Sequence, residues 1–279
     1  MTDVSLSGVT HRAAVLGSPI AHSLSPVLHS AGYLAAGLDG WEYSRIECTA
    51  ADLARVVASA DRSFRGFSVT MPAKFAALEC ATEATDRARA IGSANTLVRT
   101  ASGWRADNTD TEGIAAALDE LLGDRPVRSA LVVGAGGTAR PALWELGRRG
   151  VEAITVINRS DRRSEVEHLV GAASLEFMGF DTDVEKRAMD ADLIVSTVPA
   201  DALKLHAGDL GHAPVFDVIY NPWPTPLATA AAANGHRVVG GLSMLAGQSY
   251  SQFEQFTGHP APRAAMRAAL EAHVRSVQT

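Results

Sequence analysis

The chain has 279 residues and a formal net charge of −6 at pH 7, from 25 lysines and arginines against 31 aspartates and glutamates. This acidic balance disfavours nucleic acid as a partner, because phosphate backbones attract basic surfaces. A hydrophobic share of 47% argues against a disordered chain, and the length suggests about two domains.

The two cysteines, Cys48 and Cys80, are too few for a disulfide framework or a four-thiolate zinc site, so we expect a cytoplasmic protein. The start Met1–Val4 lacks the pattern of a signal peptide, and no apolar run is long enough to cross a membrane. The nine histidines show no metal-ligand spacing, so we predict no bound metal.

The first hundred residues alternate strand and helix patterns, which predicts a parallel α/β sheet. We expect Ser25 to cap a helix with Pro26 at its first position, and Pro72 to begin another helix. Thr49 and Asp52 have the spacing of a capping box. The predicted strands are Ala13–Gly17, Glu42–Glu47 and Phe67–Thr70.

Thr109–Glu112 has the pattern of a helix start, and the polar stretch Gly123–Pro126 ends that helix and is a candidate start of a second domain. Helical patterns also run from Met244 to Phe256 and from Pro262 to Val277. Buried strands are predicted at Ala130–Val133, Ile154–Ile157, Leu193–Val195, Val215–Val218 and Val238–Val239.

A glycine-rich turn follows the strand Ala130–Val133 and precedes a helical pattern. Its residues are Gly134, Ala135, Gly136, Gly137, Thr138 and Ala139. In a dinucleotide fingerprint the first glycine makes the tight turn, the second lets backbone approach a pyrophosphate, and the helix N-terminus faces that anion. The alternative is a tight turn without a ligand. The flanking strand and helix favour the nucleotide site.

The end of the next predicted strand indicates which nucleotide is bound. An NAD site typically has an acidic residue there for the ribose 2′-hydroxyl. This chain has Asn158, Arg159, Ser160 and then Arg163. Because the two arginines can bind a 2′-phosphate through charge-assisted hydrogen bonds, we predict NADP. Because Asp161 is acidic, NAD remains an alternative cofactor. A second alternative is that the arginines lie on a solvated helix start and bind no ligand.

Polar residues of the first half fall where loops should follow strand ends, the usual ligand position in an open α/β sheet. Ser23 and Ser25, just before a helix N-terminus, suit a carboxylate, although a lone Ser25 would more often be a cap. Taken singly, Lys74 would be a solvated surface residue and Asp110 a helix cap or first-turn acid. His22 is a candidate general base or a structural turn residue.

Seven motifs in order along the chain together resemble the shikimate dehydrogenase family. They are Gly17–Pro26, Gly66–Lys74, Gly92–Thr96, Asp107–Asp110, Gly134–Ala139, Asn158–Ser160, and Gly241–Leu245 with Gln248. The resemblance implies an α/β fold with two domains. The substrate domain, with a mixed, mostly parallel sheet, would comprise residues 1–110 and the C-terminal helices 244–279. A Rossmann-type, doubly wound nucleotide-binding domain would comprise residues 111–243.

The resemblance also implies roles for individual residues. Lys74 and Asp110 would form the catalytic pair, and Ser23 and Ser25 would hold the substrate carboxylate, with Tyr220 nearby. The residues implied to bind ring hydroxyls are Thr70, Asn95, Asp110 and Gln248. The implied contacts of NADP or NADPH are the glycine-rich turn with Asn158, Arg159, Ser160, Arg163, Thr197, Val198, Pro199, Ile219, Gly241 and Met244.

The reaction implied is the reversible, NADP-dependent reduction of 3-dehydroshikimate to shikimate in aromatic amino acid (chorismate) biosynthesis. The enzyme would be a monomer or a homodimer. It would have no nucleic-acid or membrane partner. The chain departs from the family at Ser30 and Ser68, where many members have Asn, at Ser243, where Gly is frequent, and at Ser196–Pro199. The alternatives are an NAD-dependent quinate/shikimate dehydrogenase and a catalytically silent nucleotide-binding paralogue. A methylenetetrahydrofolate dehydrogenase shares the two-domain plan but gives no reason for the paired serines.

Overall fold

The structure, a computed structural model, describes residues 8–278. They divide into two compact units: the described residues up to Thr109 together with those from Ser249 onwards, and Asp110–Gln248. The stretch Gly123–Pro126 lies inside the second unit, after its first helix, so it does not mark the division. The segment Met1–Val4, considered above for a signal peptide, lies outside the described residues.

The twelve strands of residues 8–278 form two six-stranded sheets. In chain order they are β1 (His11–Gly17), β2 (Trp41–Glu47), β3 (Phe64–Val69), β4 (Glu83–Ala84), β5 (Thr96–Arg99), β6 (Trp104–Asp107), β7 (Ser129–Val133), β8 (Ala153–Ile157), β9 (Ser174–Met178), β10 (Leu193–Ser196), β11 (Val215–Asp217) and β12 (Val238–Val239).

The α-helices of the same residues connect and cover these strands. They are α1 (Ser25–Ala35), α2 (Leu53–Ser59), α3 (Lys74–Glu79), α4 (Asp86–Ile91), α5 (Asp110–Leu122), α6 (Ala139–Arg148), α7 (Arg163–Val166), α8 (Val184–Met189), α9 (Ala207–Leu210), α10 (Pro226–Ala233), α11 (Gly241–Thr257) and α12 (Arg263–Gln278). None of the helices described is long and apolar enough to cross a membrane.

The sheet of the first unit has the order β2-β1-β3-β5-β6-β4. β1 pairs in parallel with β2 and β3, and β4 pairs in parallel with β6. β5 runs antiparallel to both of its neighbours. The sheet is therefore mixed and mostly parallel, which confirms that part of the expected fold. The pure parallel sheet suggested by the strand–helix alternation alone is wrong, because β5 and β6 form a hairpin.

Two predicted helix starts in this unit are wrong by one or two residues. α1 begins at Ser25 itself after Leu24, and the hydroxyl of Ser23 accepts the N–H of Ser25 at 3.4 Å, so Ser25 is not the cap. α3 begins at Lys74 rather than at Pro72. Thr49 and Asp52 do pair, since Thr49 Oγ1 donates to Asp52 Oδ2 at 2.6 Å and accepts from the Asp52 N–H at 3.3 Å, but α2 begins only at Leu53, so Thr49 does not cap it.

The sheet of the second unit has the order β12-β11-β10-β7-β8-β9, and all of its strand pairs are parallel. This is the strand order of a doubly wound Rossmann sheet, in which the order reverses between β7 and β10. The Rossmann-type fold is thus confirmed. The five strands predicted from apolar runs are all present, and β9 is an additional edge strand that alternates exposed and half-buried residues.

Candidate active site

The glycine-rich turn lies at the carboxyl end of β7, where the strand order reverses. Gly134 has a φ of +101°, and a Cβ there would lie 2.6 Å from Thr197 Oγ1 and 2.8 Å from a Val198 methyl. A Cβ on Gly136 would meet nothing within 4 Å. The first glycine is therefore required by the protein's own packing, whereas the backbone at the second faces open space. Such a turn admits a pyrophosphate at the start of α6.

Thr197 is fixed beside this turn. Its Oγ1 and its N–H both donate to the carbonyl of Val133, at 2.8 and 2.9 Å. Thr197 and Val198 are half-buried, and Pro199 is exposed. Of the three implied cofactor contacts in this segment, Thr197 and Val198 therefore lie against Gly134.

Arg159 lies on a pocket of about 160 Å³ at the end of β8. Its guanidinium is exposed and makes no ion pair or hydrogen bond within residues 8–278. The pocket is lined by Asn158, Arg159, Ser160, Asp161, Phe177, Met178 and Gly179. A cationic side chain beside an aromatic ring and a small cavity suits an adenosine that carries a phosphate.

Arg163 differs from Arg159, because its guanidinium is already occupied. Its Nη1 donates to the carbonyl of Leu175 at 2.6 Å, and its Nε lies 4.0 Å from Asp161. Asp161 in turn accepts the N–H of Arg163 at 2.7 Å. Arg163 does not line the pocket. Of the two predicted arginines, Arg159 is the one placed to bind a ligand.

The remaining predicted nucleotide contacts follow β11 and begin α11. The N–H of Gly241 donates to the carbonyl of Ile219 at 3.1 Å. Asp217, which the sequence analysis missed, accepts the N–H of Ile219 at 3.1 Å and the hydroxyl of Thr225 at 2.7 Å. Burial raises the pKa of Asp217. Met244 is 6% exposed and belongs to the apolar core of the second unit.

In the first unit, Ser23 and Ser25 lie together at the start of α1. Ser23 Oγ donates to Ser25 Oγ at 3.3 Å, and Ser25 is buried while Ser23 is half-buried. Thr70 follows β3, and its N–H donates to the carbonyl of Leu16 at 2.8 Å. Because Gly17 has no side chain, the methyl of Thr70 packs directly against the end of β1. His22 is exposed in the turn before the serines.

Lys74, the first residue of α3, is only 9% exposed. Its carbonyl accepts the N–H of Ala94 at 2.9 Å, which holds the start of α3 beside Asn95. The side chain of Asn95 is buried, and its Oδ1 accepts from the N–H and the hydroxyl of Thr109 at 2.7 and 3.1 Å. The carboxamide orientation is thus fixed by the residue that precedes Asp110.

Asp110 is the first residue of α5 and is 1% exposed. In the second unit, Tyr220 and Gln248 are half-buried, Tyr220 in the segment after β11 and Gln248 on α11. No group of three or more potential metal ligands occurs among the histidines, cysteines and carboxylates that the structure describes.

Gln252 is a buried residue of this region that the sequence analysis did not identify. Its Oε1 accepts from the hydroxyl of Ser68 at 2.8 Å, and its Nε2 donates to the carbonyl of Asn95 and to Thr96 Oγ1, each at 3.1 Å. Tyr43 extends this network by donating to Ser68 Oγ at 2.6 Å. Gln252 lies one helical turn after Gln248, so that spacing was the available signal.

Three family models match the chain. Residues 15–97 match the "Shikimate dehydrogenase substrate binding domain", residues 117–215 match "Shikimate / quinate 5-dehydrogenase", and residues 241–271 match the "Shikimate 5'-dehydrogenase C-terminal domain". Together they cover most of both units.

Individual relatives agree with these models. The shikimate dehydrogenase (NADP(+)) of Geobacter metallireducens is 35% identical over 94% of this chain and 96% of its own length. The crystal structure of Mycobacterium tuberculosis shikimate dehydrogenase has a TM-score of 0.86 at 47% identity, covering 94% of this chain and 99% of that one. The shikimate 5-dehydrogenase of Thermus thermophilus, solved with NADP(H) and shikimate, has a TM-score of 0.77 at 30% identity, covering 94% and 99%. This chain therefore belongs to the shikimate dehydrogenase family.

Proposed function

We propose that the protein is an NADP-dependent shikimate dehydrogenase that interconverts 3-dehydroshikimate and shikimate, as a step of aromatic amino acid (chorismate) biosynthesis. The observation that carries this proposal is the burial of Lys74 at the start of α3, where its backbone carbonyl accepts the N–H of Ala94, the residue before the buried Asn95. A lysine at the start of a helix is ordinarily solvated, and the helix dipole opposes a cation there. The burial of Lys74 departs from that rule, which supports a role in the site for its side chain.

In this proposal residues 1–110 and 244–279 form the substrate domain, and residues 111–243 bind NADP. The division of the structure at Asp110 and Gln248 supports this arrangement. The open backbone at Gly136 and the pocket of Arg159 fit the pyrophosphate and the 2′-phosphate of the cofactor. When bound, the cofactor supplies the hydride.

The protein's own residues supply the proton and the orientation of the substrate. In the reducing direction, Lys74 as an ammonium donates a proton to the oxygen at the reacting carbon and stabilises the developing negative charge. Asp110 orients Lys74 and the substrate hydroxyl. Ser23 and Ser25 bind the carboxylate. The residues proposed to bind or border the rest of the ring are Thr70, Asn95, Tyr220 and Gln248.

Steady-state oxidation of NADPH with 3-dehydroshikimate tests the reaction. We expect turnover with NADPH well above that with NADH, because Arg159 stands where an NAD site has an acidic residue. Quinate with NAD is the control pair in the oxidising direction. A preference for NAD and quinate would instead identify the protein as a quinate/shikimate dehydrogenase.

Calorimetry with shikimate tests the catalytically silent alternative. Shikimate should release heat on binding, both alone and with NADPH present, a pair that cannot react, since the carboxylate and hydroxyl contacts belong to the protein. Absence of heat in both titrations, together with absence of turnover, would contradict the proposed function.

A further inference from the structure

One face of β2 contacts the loop that carries the paired serines. Side chains alternate along a strand, so Tyr43, Arg45 and Glu47 lie on the same face of β2. Glu47 Oε2 accepts the N–H of Ile20 at 3.1 Å. Arg45 donates from Nε and Nη2 to the carbonyl of Ser23 at 2.9 and 2.6 Å. Two successive residues of this face therefore hold the loop at its beginning and near its end.

Tyr43 is the third residue of this face. Burial raises the pKa of Tyr43, and side-chain hydrogen bonds with Ser68 and Ser25 oppose that rise only in part. The hydroxyl consequently stays neutral and donates to Ser68 Oγ at 2.6 Å. Tyr43 links the buried network around Ser68 to the second serine of the loop.

Arg45 differs from these neighbours because it brings a full positive charge to the serine loop. A guanidinium remains charged at any pH of interest, and two donors of its planar fork here share one carbonyl oxygen. Both donors of the fork end on the backbone of Ser23, whose own hydroxyl is proposed to bind the substrate. A carboxylate on Ser23 and Ser25 would lie within one Debye length of this cation, which is about 10 Å at 0.1 M salt.

The negative charge on the same face of β2 contacts Ile20, whose carbonyl accepts the Ser23 N–H at 3.0 Å, whereas Arg45 contacts Ser23 itself. The carboxylate of Glu47 is bound to the N–H of Ile20, three residues before Ser23 along the chain. Within residues 8–278, the side chain of Arg45 forms no ion pair that would neutralise it. The charge of Arg45 is therefore available to an anion at the serines.

We propose that Arg45 is a positioning and specificity residue for the anionic end of the substrate: its fork fixes the serine loop, and its charge favours a carboxylate there. This inference rests on the proposed function, since it concerns the same substrate. Arg45 would add a positive charge to a carboxylate subsite that is otherwise formed by hydroxyls and backbone groups.

Kinetics at saturating NADP with shikimate as the varied substrate separate charge from geometry. Arg45→Gln keeps an N–H for the Ser23 carbonyl but removes the charge, and we expect KM to rise about fivefold with kcat nearly unchanged. Arg45→Lys keeps the charge without the fork and should retain most of the wild-type KM. Added salt should raise the wild-type KM more than that of Arg45→Gln, because salt screens only the charge.

Arg55→Gln is the matched control, because Arg55 is an exposed arginine of the same unit and pairs with Asp52. Its substitution changes the net charge of the protein by the same amount as Arg45→Gln. It should keep the wild-type KM. The role of the charge is overturned if Arg45→Gln has the wild-type KM. It is also overturned if Arg45→Lys and Arg45→Gln raise KM equally. If Arg45→Gln does not fold, the salt dependence of Arg45→Lys decides, since loss of that dependence overturns the role as well. Absence of shikimate-dependent NADP reduction by the wild type would overturn the proposed function instead.

Discussion

Arg87 and Asp107 form a two-point ion pair in which Nε bonds Oδ1 and Nη2 bonds Oδ2, each at 2.6 Å. Thr85 Oγ1 and Gln255 Nε2 also donate to this carboxylate, at 2.7 and 2.8 Å. Burial acts to raise the pKa of Asp107, but the hydrogen bonds from Arg87 and Thr85 outweigh it, and the pKa lies below its usual value. Asp107 is therefore ionised and fixed three residues before Asp110.

Asp107→Asn should lower the free energy of unfolding by about 3 kcal/mol at pH 7, because it leaves the largely buried Arg87 without its counter-charge. The folded-state pKa of Asp107 is below the unfolded value. The stabilisation is therefore present above the unfolded pKa of 3.8 and lost as the pH falls through the folded pKa. Urea unfolding at pH 7 and near pH 3 measures both effects, and the variant should differ less from the wild type in acid.

Asp86→Asn is the control for this prediction. Asp86 pairs with Arg89 on the same helix, but its side chain is fully exposed, so water screens the pair and we expect no measurable loss. Equal losses for Asp86→Asn and Asp107→Asn would contradict the role assigned to the buried pair.

Much of the fold was predictable because of how parallel strands are buried. β7, β8 and β10 are covered on both faces and therefore appear as continuous apolar runs such as Ala130–Val133. The strand Ser174–Met178 and the hairpin of β5 and β6 lack such runs, because each has a solvated side or a short length. The helices that begin at Ser25 and Lys74 have no side-chain cap hydrogen bond from their N-cap residues, so a search for capping residues placed their starts wrongly.

The candidate site was predictable only where a motif carried it. The resemblance identified Lys74 and Asn95, but the burial of Lys74 follows from packing between elements distant in sequence. Arg45 and Gln252 lie outside every quoted motif. Their contacts reach residues 22 and 157 positions away, for example Ser23 and Asn95. Local periodicity does not encode such contacts.

Gly134→Ala and Gly136→Ala should separate folding from cofactor binding. A Cβ at Gly134 would lie 2.6 Å from Thr197 Oγ1 at a φ of +101°, so we expect a lower melting temperature as well as weak NADP binding. A Cβ at Gly136 meets nothing, so Gly136→Ala should keep the melting temperature but weaken NADP binding about tenfold, by crowding the pyrophosphate. Thermal unfolding and calorimetric titration with NADP measure the two effects. Unchanged NADP affinity in Gly136→Ala would contradict the placement of the pyrophosphate at this turn.

Arg159→Gln should weaken NADP binding by roughly 10- to 100-fold, the range for a lost charge-assisted hydrogen bond, and leave NAD binding nearly unchanged. The reason is that only NADP carries the 2′-phosphate expected in the pocket of Arg159. Arg163→Gln is the matched comparison, and because its guanidinium is held by the carbonyl of Leu175 we expect a smaller effect on NADP. Titration of both nucleotides into each variant measures this. If Arg159→Gln lost NAD and NADP affinity equally, the 2′-phosphate contact would be refuted.

Lys74→Ala should lower kcat by about 100-fold or more while the protein remains folded, as expected for the loss of a proton donor. Asp110→Asn should also lower kcat, because the amide no longer orients the ammonium by charge. The control is Lys186→Ala, which removes an exposed lysine that pairs with Asp190. Steady-state turnover and thermal unfolding of all three variants measure the effects. Near-normal turnover in Lys74→Ala would exclude Lys74 from the mechanism.

His29 is a fully buried titratable group among aromatic rings, stacked on Tyr43 at a centroid distance of 4.1 Å and close to Phe253 and Phe256. Neither ring nitrogen makes a hydrogen bond of ordinary geometry to a residue within 8–278. Burial lowers the pKa of His29 from 6.5 to about 3, and the nearby carboxamide of Gln252 opposes this only weakly. The folded state therefore holds a neutral imidazole at the cost of two unsatisfied polar atoms.

His29→Phe should raise the free energy of unfolding at pH 7 by about 1 kcal/mol, because it keeps the stacking and removes the unsatisfied nitrogens. The folded pKa of His29 is lowered, so the wild type loses stability as the pH falls from the unfolded value of 6.5 towards 3, by about 1.4 kcal/mol per pH unit. Urea unfolding at pH 7 and pH 5 should thus show a gap between variant and wild type that widens in acid. His259→Phe, at an exposed histidine, is the control for the substitution itself and should not raise the free energy of unfolding at pH 7. A gap of constant size in His29→Phe would mean that His29 does not titrate in this range on unfolding.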